Sequence, residues 1–584
     1  MATLHALLAK RLKTAVLPIF PEAKIQISAT SDVKFGDYQS NVAMTLAKNA
    51  KRNPREVAGE IISRFESANL CFPPEIAGAG FINFRILPEK LAAEFAALAT
   101  DPKLGVQNPE TPRQYVIDFS SPNVAKPMHV GHIRSTFLGD AIARIAVFLG
   151  HKVVRDNHIG DWGTQFGMLL HGWKTLLEPL ALECDPLAEM ERIYKLVSAS
   201  YKTDPATQEA VRSELGRLQA GDAENLALWH EMIRLSQVQF DTIYGRLGVQ
   251  FDVTLGESFY NPWLREIVAD LLAKGVARES DGALCVFSDG TLPEKEDPFL
   301  IKDENGWRDN PAIVQKSDGT SNYTTTDLAT LQYRLKTWSP DEIIVITDGR
   351  QQHHFRQLAA IYRRWQPDAP ARLSHVWFGS ILGEDGKPFK TRSGETVRLA
   401  ELLDEAEERA LAQVTEKNLT LPESERRDIA RIIGLGAVKY ADLLPNRQSD
   451  YVFSWDKMLS FQGNTAPYLQ YSYVRIRSIF RKLEMSWVPS DGPVFFTDPA
   501  EILLAKKLLQ FGEILPTILD DHRPNLLANY LYELASTFHS FFEACPVLKS
   551  ADVTRETRLQ LCDVSARILQ KGLYLLGIEV PERM

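Results

Sequence analysis

Two imidazoles three positions apart, His129 and His132, with Gly131 between them, mark the point of the chain best suited to chemistry. They close the run Ser120-Ser121-Pro122-Asn123-Val124-Ala125-Lys126-Pro127-Met128-His129-Val130-Gly131-His132. These residue types suit a triphosphate. Imidazole N–H groups and the Lys126 ammonium can donate to phosphate oxygens, and Gly131 lets a nucleotide lie against the backbone. A metal site is the alternative, because His151 and His158 follow. The absence of a nearby cysteine, and of the glutamate of an H-E-x-x-H pair, disfavours it.

The flanking elements fit the anion reading. Tyr115-Val116-Ile117-Asp118-Phe119 is an apolar run that reads as a buried strand. Ile133 to Leu149 reads as an amphipathic helix closed by Gly150. A strand, a polar loop and a helix start together aim unpaired N–H groups and the positive end of the helix dipole at an anion.

The remaining sequence bounds the class. With 584 residues, one core is excluded, and about three or four domains are expected. The hydrophobic fraction of 45% and charged fraction of 24% are those of soluble globular material. No run of eighteen apolar residues exists, so no membrane partner is expected. Five cysteines without paired spacing suggest free thiols and a cytoplasmic protein. A net charge of −9 argues against nonspecific coating of nucleic acid but leaves room for one RNA bound through local basic surfaces.

Strand and helix patterns alternate over 113–400, which predicts a parallel sheet with crossover helices. Strands are expected at 115–120, 152–156, 342–347 and 375–381. An insertion of about 165–290 reads as helical. Residues 1–108 form a small α+β unit, with a helix from His5 to Val16 and strands at 24–28 and in AGAGFINFRIL. Its Phe35–Asn41 loop, which opens a helix, is either an RNA contact or a turn with a cap, and helical periodicity is read after Gly36. From 401 the pattern is all helix, with 401–462 a connector and 463–584 a bundle. Gly434 and Gly436 fit close helix packing. The fold class is thus multidomain α/β: a Rossmann-like catalytic domain with a helical insertion, a small N-terminal domain and an all-α C-terminal bundle.

The run SPNVAKPMHVGHIRSTFLGD resembles the signature of class I aminoacyl-tRNA synthetases, in the form of the bacterial-type arginyl-tRNA synthetases. The resemblance extends over nearly the whole chain. It implies activation of L-arginine by ATP, transfer to tRNA(Arg), and a need for bound tRNA before activation. ATP is then a substrate, Mg2+ arrives with it, and no tightly bound metal is expected. Pro122, Asn123, Met128, His129, Gly131 and His132 would line the nucleotide. The N-terminal unit resembles the family's tRNA-contacting domain. Class I enzymes carry a second signature, KMSKS; here Gly386 to Gly394 stands in its place, and Lys390 and Arg392 suit a clamp on pyrophosphate. A solvated basic turn is the alternative. Because the loop departs from that motif, Lys126 is expected to supply the missing charge.

A guanidinium substrate calls for a carboxylate able to accept two parallel hydrogen bonds and for a flat aromatic wall. Tyr323 and Asp327, four apart at an expected helix start, share one face and offer both. They match the arginyl family's Y-x-x-x-D-[LI]-A element, whose Tyr and Asp hold the substrate side chain. Gln351 matches a further amino-acid contact. Asp118 and Asn123 match positions holding the α-amino and carboxylate groups, with His132 beside them. Tyr468, Tyr471 and Arg475 form a helical stripe in the region that resembles the anticodon-binding domain; it serves either RNA bases or core packing. The competing readings are a synthetase for lysine, a small-molecule nucleotidyltransferase, and an inactive RNA-binding paralogue. A monomer is expected.

Overall fold

The computed structural model describes residues 3–30, 32–389, 397–483, 487–490 and 492–584. Lys390 and Arg392 therefore lie outside the described residues. The N-terminal unit comprises α1 (Leu4–Val16), β1 (Ser28–Ala29), β2 (Tyr38–Ser40), α2 (Val42–Ala50), α3 (Pro54–Arg64), β3 (Glu75–Ala77), β4 (Phe81–Phe84) and α4 (Pro88–Thr100). Its sheet is antiparallel, in the order β1-β2-β4-β3. Two expectations need correction. The strand at 24–28 shrinks to Ser28–Ala29, and the helix after Gly36 starts only at Val42, behind β2. Tyr38 and Ser40 are buried on one side of that short strand, and three residues are too few to show a period of two.

The central unit is a five-stranded parallel sheet in the order β14-β13-β5-β6-β7. Its strands are β5 (Gln114–Asp118), β6 (Lys152–Asn157), β7 (Val253–Thr254), β13 (Glu342–Asp348) and β14 (Arg372–Phe378). The strand order reverses between β5 and β13, and ligands bind outside the carboxyl ends of the strands at such a point. β5 is buried on both faces from Tyr115 to Asp118, as a middle strand covered by helices must be. Helix α5 (Ile133–Leu149) packs so closely that a Cβ on Gly139 would lie 2.1 Å from the Phe119 ring.

Between β6 and β13 lies the insertion. Helices α6 (Thr164–Leu176), α7 (Pro179–Cys184), α8 (Pro186–Tyr201), α9 (Pro205–Gln219) and α10 (Ala223–Leu247) come first. The helical expectation fails beyond Leu247. There the chain adds β7 to the main sheet, then α11 (Leu264–Ala273), β8 (Arg278–Ser280), β9 (Ala283–Val286), β10 (Leu300–Asp303), β11 (Gly306–Asp309) and β12 (Ala312–Gln315). β8, β9 and β12 form a separate antiparallel sheet. Strands of two to four residues give no periodic signal.

The chain then runs through α12 (Tyr323–Trp338), α13 (Gln352–Trp365) and β15 (Ile381–Leu382), followed by helices α14 (Leu399–Lys417), α15 (Glu423–Leu443), α16 (Trp455–Met458), α17 (Ala466–Arg481), α18 (Pro499–Leu509), α19 (Phe511–Asp521), α20 (Asn525–Ala544) and α21 (Asp552–Leu575). One short strand, β16 (Tyr451–Val452), interrupts them and pairs with β15. Gly434 brings α15 onto α14, where a Cβ would stand 2.6 Å from the Ala406 carbonyl oxygen. No described helix is long and apolar enough to cross a membrane.

The first and last units meet along a polar seam. Tyr38 donates its hydroxyl to Glu513 Oε1 at 2.9 Å, and the His5 N–H donates to the same oxygen at 3.0 Å. Asp37 accepts from the Ile86 N–H at 2.7 Å and pairs with Lys506. Arg567 of α21 donates to the Ala99 carbonyl at 2.7 Å. The Phe35–Asn41 loop thus spends Asp37 and Tyr38 on an internal contact, which neither of the two readings of the sequence included.

Candidate active site

The signature loop leaves β5 at the strand reversal and enters α5 through a single turn, Val130–His132. The two imidazoles cap that turn reciprocally. The Gly131 N–H donates to His129 Nδ1 at 3.0 Å, and the His129 N–H donates to His132 Nδ1 at 3.1 Å. A ring nitrogen that accepts a hydrogen bond carries no proton, so each neutral ring holds its hydrogen on Nε2. The ring centroids lie 4.1 Å apart. Burial, and the neighbouring His129 ring, push the His132 pKa down to about 3. Burial also lowers that of His129, against the pull of Glu191. The pair therefore presents uncharged Nε2–H donors, with tautomers set by the backbone. A Cβ on Gly131 would lie 2.8 Å from His129 Cε1, so this glycine makes room for the ring itself.

The loop's backbone is strained. Ser120, Ser121 and Ala125 have φ of 72°, 49° and 61°, a left-handed region that costs a non-glycine residue on the order of 1–3 kcal/mol. Hydrogen bonds hold it there. The Ser120 N–H donates to Ser135 Oγ at 2.9 Å, and Ser135 Oγ donates to the Ile346 carbonyl at 2.7 Å. Pro122 and Asn123 run beside Gly160, with the Gly160 N–H donating to the Pro122 carbonyl at 3.1 Å. Gly160 has no side chain for a reason: a Cβ there would sit 2.2 Å from Asn123 Oδ1. The glycine-rich stretch Gly160–Gly167 thus supports the loop. Met128 is buried, and Met128–Val130 pairs with Val397–Leu399 beyond the described part of the second signature. Lys126 Nζ lies over the Tyr194 ring of α8 at 4.5 Å.

Asp118 and Asp156 are direct partners across β5 and β6. Two adjacent carboxylates at the end of a buried sheet need a counter-ion. Arg334 of α12, 1% exposed, supplies it, with Nη2 2.6 Å from Asp118 Oδ2 and Nε 3.0 Å from Asp156 Oδ2. Burial pushes the Asp156 carboxyl up, opposed by Arg334, and the two aspartates hold the guanidinium pKa well above its ordinary value even though burial works against them. One guanidinium between two carboxylates leaves one negative charge beside the signature loop. Asp118 also accepts from Ser121 Oγ at 3.0 Å.

Tyr323 opens α12 and is 66% exposed; Asp327 lies one turn further on. Both meet His354 of α13. Asp327 Oδ2 is 2.6 Å from His354 Nε2, and the Tyr323 and His354 rings are 5.3 Å apart, edge to face. Gln351 is exposed in the turn Gly349–Gln351 that follows β13. Glu257 adds a second carboxylate. Burial pushes its pKa from an ordinary 4.5 up to about 7, with the Asp161 and Asp327 carboxylates adding to the rise and His158 opposing it. His158 Nδ1 is itself buried without a partner. The sequence reading missed Arg334, His354 and Glu257, because none carries a local motif, and it weighed His158 only as a metal ligand. Only the position of His158 just after β6 offered a signal.

In the C-terminal bundle α17 divides its aromatics. Tyr473 is core, whereas Tyr471 is 46% exposed and Arg475 lies over the Phe542 ring at 5.0 Å. Tyr468 is half-buried, 5.8 Å from the Tyr532 ring. The stripe is therefore a surface shared by α17 and α20.

Comparison with known proteins matches this arrangement. The family described as tRNA synthetases class I (R), catalytic domain, matches residues 95–455. The arginyl tRNA synthetase N terminal domain matches 2–86, and the DALR anticodon binding domain 469–584. The arginine–tRNA ligase of Synechococcus elongatus is 47% identical over 564 residues, 94% of either chain. That of Laribacter hongkongensis is 45% identical over 588 residues and covers both chains fully, at 100%. The crystal structure of the arginyl-tRNA synthetase from Plasmodium falciparum superposes with a TM-score of 0.83 at 28% identity, covering 100% of both chains. The chain belongs to the arginyl-tRNA synthetase family of class I synthetases.

Proposed function

We propose that this chain joins L-arginine to tRNA(Arg) in two steps. The arginine carboxylate attacks the α-phosphorus of ATP and expels pyrophosphate; a terminal ribose hydroxyl of the tRNA then displaces AMP from the adenylate. No protein nucleophile is needed. The protein's part is to position the reactants and to balance growing phosphate charge. His129 and His132 donate from Nε2 to the nucleotide. Lys126 leaves the Tyr194 face to meet phosphate, together with Lys390 and Arg392. Magnesium comes with the nucleotide, held by phosphate oxygens and water. Asp118 and Asn123 take the α-amino and carboxylate groups, with the surplus charge of the Arg334 cluster attracting the ammonium.

The observation that carries the reading is the Asp327 carboxylate, 2.6 Å from His354 Nε2 and close enough to Glu257 to help raise its pKa, on the same helix α12 whose Arg334 closes the Asp118–Asp156 cluster below the signature loop. Tyr323 and Gln351 complete the side-chain pocket. The stripe of half-buried Tyr468 and exposed Tyr471 and Arg475 suits unstacked bases of the tRNA. In this reading residues 1–108 contact tRNA, 113–400 catalyse, 401–462 connect and 463–584 bind the anticodon. The protein is a cytoplasmic monomer, a compartment that suits its five unpaired cysteines. The test is aminoacylation of total tRNA with each of twenty labelled amino acids. Arginine alone is expected to be charged, and ATP–pyrophosphate exchange is expected to require tRNA. Exchange with arginine in the absence of tRNA would contradict the second point.

Glu257 gives the pocket a pH dependence. Without ligand its pKa is raised from 4.5 to about 7, so its favourable contribution to folding is complete below 4.5 and is lost as pH rises through 7. A bound guanidinium prefers the ionised form and reverses that sign. The KM for arginine is therefore expected to fall as pH rises from about 6 to about 8. In Glu257→Gln it should be higher and flat over that range. A pH-independent KM in the unsubstituted protein would remove Glu257 from the pocket.

A further inference from the structure

The strained phosphate loop is held from outside the sheet. Helix α10 of the insertion supplies two buried hydroxyls to it. Ser236 is fully buried; its hydroxyl donates to the Met232 carbonyl at 2.7 Å and so turns a lone pair to the Ala125 N–H at 2.9 Å. Tyr244, also buried, has its hydroxyl 2.8 Å from Ser120 Oγ. The same hydroxyl accepts from Asn157 Nδ2 at 3.2 Å, and Asn157 Oδ1 accepts from the Ser121 N–H at 3.1 Å. Each of the three left-handed residues thus has a partner on α10 or one step from it.

This arrangement has mechanical consequences. A left-handed alanine or serine reverts to a commoner conformation unless something holds it. Ala125 directly precedes Lys126, and His129 follows three residues later. Rotation about the Ala125 backbone would swing both groups away from any phosphate. We propose that Ser236 and Tyr244 are positioning residues: α10 clamps the phosphate loop in its left-handed shape, so the inserted helical unit belongs to the machinery of ATP activation. The inference rests on the reading of this loop as the ATP site.

The test is a double-substitution cycle in the full chain, read by tRNA-dependent ATP–pyrophosphate exchange. Ser236→Ala is expected to lower kcat/KM for ATP by about ten- to a hundred-fold, with the KM for arginine changed less than about two-fold. In the Ala125→Gly background the same substitution should cost less than about three-fold, because glycine occupies the left-handed region without penalty. A general packing role would give equal losses in both backgrounds, so equal losses, or none, overturn the proposal. Tyr244→Phe keeps the ring and removes only the hydroxyl. It should show the same ATP-selective loss, it carries the test if Ser236→Ala does not fold, and unchanged ATP parameters there would overturn the clamp. Absence of exchange in the unsubstituted protein with tRNA present would instead remove the ATP reading, and the clamp with it.

Discussion

Asp327→Ala is expected to reduce kcat/KM for arginine by about a thousand-fold, because removing one partner of a desolvated, hydrogen-bonded charge pair costs about 2–5 kcal/mol, and 4 kcal/mol is close to that factor. The loss should fall on arginine and spare ATP, whose KM should stay within about two-fold. Asp327→Asn separates charge from shape. It keeps a carbonyl acceptor toward His354 Nε2, now 2.6 Å from the carboxylate, but offers a guanidinium only one good acceptor. It should recover little of the loss. Steady-state arginylation at saturating tRNA measures both variants. If Asp327→Ala retained activity within ten-fold of the parent, the guanidinium would have to be bound elsewhere.

Arg334→Met should produce the largest loss of stability. It would leave Asp118 and Asp156 side by side in the sheet, 7% and 0% exposed, with no counter-ion. Breaking a buried pair in this way costs about 3–5 kcal/mol, a large part of the roughly 5–15 kcal/mol that holds a domain together. The sign with pH is fixed. Burial already raises the Asp156 pKa and Arg334 opposes it; with the cation gone that rise is unopposed, so the variant gains relative stability as pH falls and the pair takes up a proton. Hydrogen exchange should show β5 and β6 deprotected in the variant at about pH 8 and partly recovered at about pH 5.5, with the N-terminal unit unchanged. Equal exchange in parent and variant would mean that the guanidinium contributes nothing net.

Parts of this architecture are legible in the sequence for a simple reason. β5, β6, β13 and β14 run for five to seven residues, long enough to show a pattern: β5 and β13 are buried apolar runs, β14 is buried at every second residue, and β6 is buried only at its end. The signature loop is legible because His129, Gly131 and His132 form a local pattern whose geometry is also local: each imidazole caps the other's turn. The rest is not local. Arg334 sits on α12 like any cation on an amphipathic helix, and only the register of β5 against β6 reveals why it is buried. Glu257 lies in an irregular stretch, and its raised pKa comes from burial and from charges far away in sequence. Ser236 and Tyr244 look like ordinary positions of a long helix, and their partners in the signature loop, Ala125 and Ser120, are more than a hundred residues upstream. The strands after Leu247 are too short to compete with the helical pattern around them.

The seam between the first and last units bears on how the chain is made. His5 and Glu513 touch across 508 positions of sequence. At a synthesis rate of about 5–20 residues per second, the amino-terminal unit leaves the ribosome roughly 25–100 seconds before its docking surface exists. It has a core of its own, from Leu8 through Val57 to Phe84, and so can settle alone. The face later covered by Phe496, Ile502 and Leu509 stays bare throughout that delay. The emerging protein thus carries an uncovered apolar patch through most of translation, and chaperone capture in that interval would act on this one surface.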